Sequence, residues 1–227
     1  MPQTEHFDAI RNSPLFTGLT EGEKDVLLEG GEIHFHAPQG YLFRQGDGVE
    51  YFYIVCKGIV REFRKSHRGS EITVNIHGPG NAFCTAEMFL KEGLHQTSAA
   101  AVDDAHVMKL PIQPLKKNLQ KYKVVLERLI CSLAQFAFMK QVEVEQQATM
   151  TATQIVAAFL RQICASHELD PGGFELPYSK SLIASRLGME GETLSRTLHK
   201  LRQYGITVRG NHVSFHDAPD IKENVRA

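Results

Sequence analysis

The chain has no tryptophan, four cysteines and almost no net charge, and each shortage excludes something. Cys56, Cys84, Cys131 and Cys164 are scattered, so no CxxC ligand or thiol-exchange motif exists and free thiols are expected. Lys and Arg number 25 against 26 Asp and Glu, a net charge of -1, which excludes a histone-like binder held by bulk charge. Any contact with nucleic acid must rest on a local patch. Thr4, Glu5, His6 and Asp8 stand where a signal peptide would need apolar residues. The most apolar helical stretch, 124–139, is interrupted by Glu127 and Arg128, so no bilayer span and no membrane partner are expected, and the expected location is cytoplasmic. Hydrophobic residues make up 42% of the 227, ample for the cores of one or two domains.

Thr20 and Glu23 form a capping-box pattern ahead of Val26, Leu27 and Leu28, which predicts a short helix over 20–30. The texture then changes. Turn signals recur at Gly40, Gly46-Asp47-Gly48, Lys57-Gly58, Arg68-Gly69, Gly78-Pro79-Gly80-Asn81 and Glu92-Gly93, between strand-like runs such as 51–55, 59–63 and 72–76. That spacing predicts an all-β sandwich or small barrel. From Pro114 the period becomes helical, with Leu115, Leu119, Tyr122, Leu126, Leu129, Leu133 and Phe136 at alternating steps of four and three. Such a heptad predicts a seam of Leu119, Tyr122, Leu126, Leu129, Leu133 and Phe136 against a second copy of the chain. The alternative is a helix packed on its own barrel. A further helix over 151–166 ends before Asp170-Pro171-Gly172-Gly173, a break between segments.

The stretch 179–196 reads as two short helices joined at a glycine. Ser179 caps the first, whose Leu182, Ile183 and Leu187 form an apolar face with small Ala184 at the crossing, and Gly188 makes the turn. The second, 191–204, buries Leu194, Leu198 and Leu201 and leaves Glu192, Ser195, Arg196, His199 and Lys200 outward. Runs 206–208 and 212–215 flank Arg209-Gly210-Asn211, a hairpin, so the segment is a winged helix-turn-helix. Lys180, Arg186, Arg196, Lys200, Arg202 and Arg209 face only Glu190 and Glu192 between 176 and 216, a local net charge of +4. Glu192, Ser195 and Arg196, at i, i+3 and i+4, share one face; arginine can hold guanine O6 and N7, and glutamate accepts from cytosine N4. The plainer reading is a surface ion pair between Glu192 and Arg196. Ser179, Lys180, Thr193 and Lys200 are further candidate DNA contacts, with Ser179, Lys180 and Thr193 suited to phosphates.

Leu42-Phe43-Arg44-Gln45-Gly46-Asp47, Tyr53-Ile54-Val55-Cys56-Lys57-Gly58, the opening Ser13-Pro14-Leu15-Phe16 and Glu192-Thr193-Leu194-Ser195-Arg196 together resemble the CRP/FNR family of bacterial transcription regulators. The resemblance covers nearly the whole chain. It implies an α+β fold: a β-roll (double-stranded β-helix) sensor domain with short N-terminal helices over 1–111, a dimerisation helix over 112–146 and a winged-helix DNA-binding domain over 147–227. The implied partners are double-stranded DNA, a second copy in a homodimer, and RNA polymerase, for an activator's role. Glu-x-x-Ser-Arg, with Gly191 and Ser195, is similar to the FNR branch and implies a TTGAT palindrome.

The family's sensors set three expectations. A 4Fe-4S cluster needs cysteines near the N-terminus, and none precedes Cys56. Cyclic nucleotides need a Gly-Glu-Leu turn and an arginine for the phosphate. Here 83–89 reads Phe-Cys-Thr-Ala-Glu-Met-Phe and 94–99 holds no arginine, so cAMP is not expected, although Glu87 still suits a ribose. A cAMP-responsive regulator stays as the alternative. The remaining resemblance is to the DNR/HcpR-like nitrosative-stress group, which implies haem and nitric oxide sensing. Cys84, Glu87, His95 and Thr97 are then the effector-pocket candidates, with His95 the first haem axial ligand and Cys84, His77 and His106 behind it; each histidine alone is better explained as a surface or hydrogen-bonded group. His34 and His36 share a strand face but lack a third ligand. Gly46-x-Gly48 and Gly78-x-Gly80 precede no helix and are strand turns. A cupin-type metal enzyme, the reading from another class, would need clustered histidines and a glutamate and would not explain the basic winged helix, so no enzymatic activity is expected.

Overall fold

The computed structural model describes residues 9–66, 69–119, 121, 123–165 and 173–215. The chain forms two compact units, Met1–Met139 and Lys140–Ala227.

The first unit opens with helix α1, Glu21–Leu27, started by the Thr20–Glu23 capping box: the Glu23 carboxylate accepts from the Thr20 amide at 2.8 Å. Eight strands follow: β1 Glu32–His36, β2 Tyr41–Phe43, β3 Tyr51–Lys57, β4 Val60–Lys65, β5 Glu71–His77, β6 Ala82–Phe83, β7 Ser98–Ala101 and β8 Ala105–Pro111. They form two antiparallel sheets, β1-β8-β3-β6 and β2-β7-β4-β5. The expected turns at Gly40, Gly46–Gly48, Gly58, Gly78–Asn81 and Gly93 are present, while Arg68 lies outside the described residues. Gly58 joins β3 to β4 at φ +80, and a Cβ there would lie 2.6 Å from the Asp104 carbonyl, so the position takes no other residue without movement.

Strand β3 is buried continuously from Phe52 to Cys56 because its two faces enter different cores. Tyr53 and Val55 meet Phe43, Phe83, Ala99 and Val107 inside the roll. Phe52, Ile54 and Cys56 meet an outer layer with Ile10, Phe16, Leu110, Leu115, Val125 and Leu129. Period-two alternation therefore serves both clusters from one strand.

That outer layer corrects the heptad expectation. Helix α2 is Ile112–Leu119 and a separate helix α3 is Lys123–Thr149. Leu129, placed on the seam from sequence, is 1% exposed and packs with Leu115 and Val125 in its own unit. The heptad thus mixes two faces, since steps of three and four also describe a helix lying on its own roll. Leu126 and Phe136 are exposed and Leu133 half-buried, as a seam requires. Tyr122 and the side chain of Leu119 lie outside the described residues. Val124, Ile130, Phe138, Met139 and Val144 are further exposed apolar side chains on α3 that the heptad left out.

The second unit contains α4 Ala152–Ala165, β9 Phe174–Glu175, α5 Lys180–Arg186, α6 Gly191–Leu201, a 3-10 turn Arg202–Tyr204, β10 Ile206–Arg209 and β11 His212–Phe215. The wing is a three-stranded sheet, β10-β11-β9. Its third strand, only two residues long, carries too little pattern to be read from sequence. Val156, Leu160 and Ile163 of α4 pack with Ile183 and Ala184 of α5 and Leu194, Leu198 and Leu201 of α6. Among the described residues no helix is long and apolar enough to cross a membrane.

Candidate functional site

Three groups of polar side chains bear on function, one on α6 and two inside the roll. The Ser179 hydroxyl accepts from the Leu182 amide at 3.3 Å and so starts α5, which means this proposed phosphate contact also serves as a cap. Gly188 turns the chain at φ +64. Helix α6 buries Leu194, Thr197, Leu198 and Leu201 and exposes Glu192, Thr193, Ser195, Arg196, His199 and Lys200. Arg196 Nη2 donates to Glu192 Oε1 at 2.6 Å, with both side chains 75% exposed. The surface ion pair considered from the sequence is therefore formed, on a face open to a partner. Lys180 is half-buried, and Arg186 pairs with Glu143, so not all of the local positive charge is free for an external anion.

Inside the roll, Glu62 is 7% exposed, on the strand face it shares with Val60 of the inner core. Phe63 beside it is buried too, on the face it shares with Arg61, whose guanidinium lies 4.2 Å from its ring centroid, and β4 and β5 shift register between Glu62 and Phe63. Glu62 accepts from Asn75 Nδ2 at 2.9 Å, His77 Nε2 at 2.8 Å and Thr97 Oγ1 at 3.0 Å. Burial alone would raise its pKa, but the bonds and charge of His77, with Asn75 and Thr97, outweigh burial and hold it down to about 2. Because this lies below the value of a free glutamate, the stabilisation is complete above the ordinary carboxylate range and is lost as pH falls towards 2. Glu62→Gln is expected to cost about 3 kcal/mol at pH 7. Urea denaturation should show that the gap from the unsubstituted chain narrows as pH is lowered below about 4.

The four effector-pocket candidates divide between this network and a second one. Thr97 belongs to Glu62. Cys84, Glu87 and His95 form their own group, with one donor atom from each lying within 4.8 Å of the others. His95 Nδ1 is 2.9 Å from Glu87 Oε2, and the Gln96 amide donates to Glu87 Oε1 at 3.1 Å. The His95 ring stacks on Phe43 with centroids 3.7 Å apart. Cys84 follows β6 at φ +62, an uncommon conformation for a residue other than glycine. Burial first, then the charges of Glu62 and Glu87, push the Cys84 thiol well above its ordinary range and keep it protonated.

Haem does not fit this packing. His95 is 2% exposed, with Phe43 against its ring and Glu87 at its Nδ1 edge, so a porphyrin would have to displace the side chains that enclose it. The reserve ligands are engaged elsewhere: His77 stacks on Phe83 and bonds Glu62, and His106 packs against Phe35. A feature missed from sequence is Arg64, whose Nε donates to the Gln96 carbonyl at 2.9 Å. Segment 94–99 holds no arginine of its own, yet one reaches it from β4; only the strand pairing reveals this. His34 and His36 line one shallow cleft with Leu42, Tyr53, Val107 and Lys109, as their shared face predicts.

Known proteins carry the same arrangement. Residues 33–122 match the cyclic nucleotide-binding domain family and residues 154–223 the Crp-like helix-turn-helix domain family. The Cyclic AMP receptor protein of Thermus thermophilus is 31% identical over 202 residues, covering 88% of this chain and 91% of that protein. A solved structure from Ruegeria pomeroyi is 29% identical, covers 100% of both chains and superposes with a TM-score of 0.65. DNR from Pseudomonas aeruginosa is 25% identical, covering 97% of this chain and 96% of the other, with a TM-score of 0.51.

Proposed function

Because this chain belongs to the CRP/FNR family of DNA-binding transcription regulators, we propose that it acts as a homodimer reading a TTGAT palindrome in response to an effector held in the roll. The observation that carries the reading is the exposed Glu192–Ser195–Arg196 face of α6, whose opposite side is buried among Leu194, Leu198 and Leu201. Arg196 reads guanine, Glu192 accepts from cytosine, and Ser195 adapts to the neighbouring edge. A two-fold dimer presents two such helices to the major groove, so a palindrome is the matching target. Leu126, Ile130, Leu133, Phe136 and Val144, exposed or half-buried along one stripe of α3, form the seam. RNA polymerase is the further partner and the cytoplasm the site of action.

The effector acts at the Cys84–Glu87–His95 group. Cyclic AMP is not the ligand favoured here, since His95 and its partners fill the region beside Glu87 and segment 94–99 holds no arginine. Cyclic AMP should therefore leave the melting temperature unchanged, because a ligand of the native state must raise it. A shift abolished by Glu87→Ala would restore the nucleotide reading. The packing around His95 opposes haem and nitric oxide sensing, and a Soret band on haem addition that is altered in His95→Ala would restore that reading.

Gel-shift titration against a TTGAT palindrome and a scrambled duplex tests the DNA reading. Specific binding should be tighter by roughly a thousandfold or more. Lys180→Ala should weaken both complexes alike and reduce the slope of log K against log salt by roughly one per half-site. Equal affinity for both duplexes would refute the TTGAT assignment.

A further inference from the structure

The donors of the Cys84–Glu87–His95 group have a composition that hydrogen bonding alone does not require. A thiol, a carboxylate and an imidazole come from one short connection, 84–95, between β6 and β7, and their donor atoms lie within 4.8 Å of one another. Sulfur, nitrogen and oxygen donors on a tetrahedral ion at 2.0–2.3 Å stand roughly 3.3–3.6 Å apart. The His95 to Glu87 separation of 2.9 Å is a few tenths of an ångström inside that range, so a small opening admits an ion between them.

The surroundings favour one class of ligand. Thiolate and carboxylate together bring two negative charges into a buried place, which a divalent cation neutralises in full and a monovalent cation does not. The mixed soft and borderline donor set favours a zinc-like transition ion over magnesium or calcium, which take oxygen ligands. Outer partners are already in place. The Gln96 amide holds the other oxygen of Glu87, and Phe43 fixes the plane of His95 by stacking, which leaves the ring few orientations.

From this geometry we infer that the roll binds one divalent transition-metal ion through Cys84, Glu87 and His95, with the fourth position open to water or a small anion. On binding, the Cys84 thiol loses its proton to solvent as the sulfur–metal bond forms, and the proton between His95 Nδ1 and Glu87 Oε2 moves to Nε2 as the ring takes its other tautomer, which frees both atoms for metal–ligand bonds. Closing a twelve-residue connection costs little chain entropy, so the ion also pins the segment between β6 and β7. As the effector, the ion deepens the regulator reading above and rests on it; as a bound ligand it does not.

The test uses the full chain in a Cys131→Ser background, because Cys131 is the exposed thiol among the four and a source of stray metal binding. Zinc in equilibrium dialysis against a competing chelator should bind one ion per protomer. Cobalt in its place should give a near-ultraviolet thiolate-to-cobalt band and intense visible bands of a tetrahedral centre. Cys84→Ser should abolish the near-ultraviolet band. His95→Gln and Glu87→Gln should weaken zinc binding by more than the roughly 10–100-fold typical of losing an outer partner. Circular dichroism identifies any variant that fails to fold, and the remaining two then decide. Absence of zinc binding by the folded parent, a cobalt spectrum without the thiolate band, or loss of the ion on replacing His34 and His36 instead would each overturn the proposal. None of these measurements uses DNA, so a failed TTGAT gel shift and a failed metal titration are separate results.

Discussion

Arg196→Ala is expected to erase the preference for the palindrome, at roughly 1–3 kcal/mol in each of two half-sites. The side chain is 75% exposed and, among the described residues, its guanidinium is tied to Glu192 alone, so its removal leaves the α6 core intact. Thermal stability should change little while discrimination collapses. Competition gel shifts with a changed G·C pair measure the effect directly. An Arg196→Ala protein that still rejects the changed pair would mean that guanine is read elsewhere.

The second large effect separates two neighbouring residues of α3. Leu129 is 1% exposed and lies in the outer core of the roll with Phe16, Phe52 and Leu110, so Leu129→Glu places an unpaired charge there and should cost about 3–5 kcal/mol of protomer stability. Ile130 is 58% exposed, and Ile130→Glu should leave the protomer folded while setting like charges across a two-fold seam. Urea denaturation reports the first and sedimentation the second. If Leu129→Glu dissociated a stable dimer without lowering the urea midpoint, its burial within one protomer would be the wrong account.

Most of the architecture was legible because the signals were local. The Thr20–Glu23 box, the turn glycines, the Ser179 cap and the Gly188 break each act within a few residues, and the structure places all of them where the sequence does. The α3 seam was only half legible. A heptad records that a helix has an apolar stripe but not whether its own roll or a second copy covers it, and here Leu129 and Leu126 fall on different sides of that choice. Among the effector candidates, Cys84, Glu87 and His95 come together because they share one connection, whereas Thr97 is claimed by a carboxylate thirty-five residues earlier in the chain. Alternation from Val60 points Glu62 inward, but nothing local in the sequence reveals the Asn75, His77 and Thr97 partners that let a carboxylate be buried there. Arg64 was hidden for a related reason: its approach to Gln96 depends on β4 lying beside β7.

The contact between Arg196 and Glu192 bears on how such a protein searches a genome. An arginine that already has a carboxylate partner is a poor catcher of arbitrary phosphates, and every encounter with random sequence must first compete with that internal partner. On the reading proposed above, a wrong base returns the arginine to Glu192 and does not strand it, so the pair offsets a few tenths of a kcal/mol of the mismatch penalty, as an exposed i,i+4 pair does.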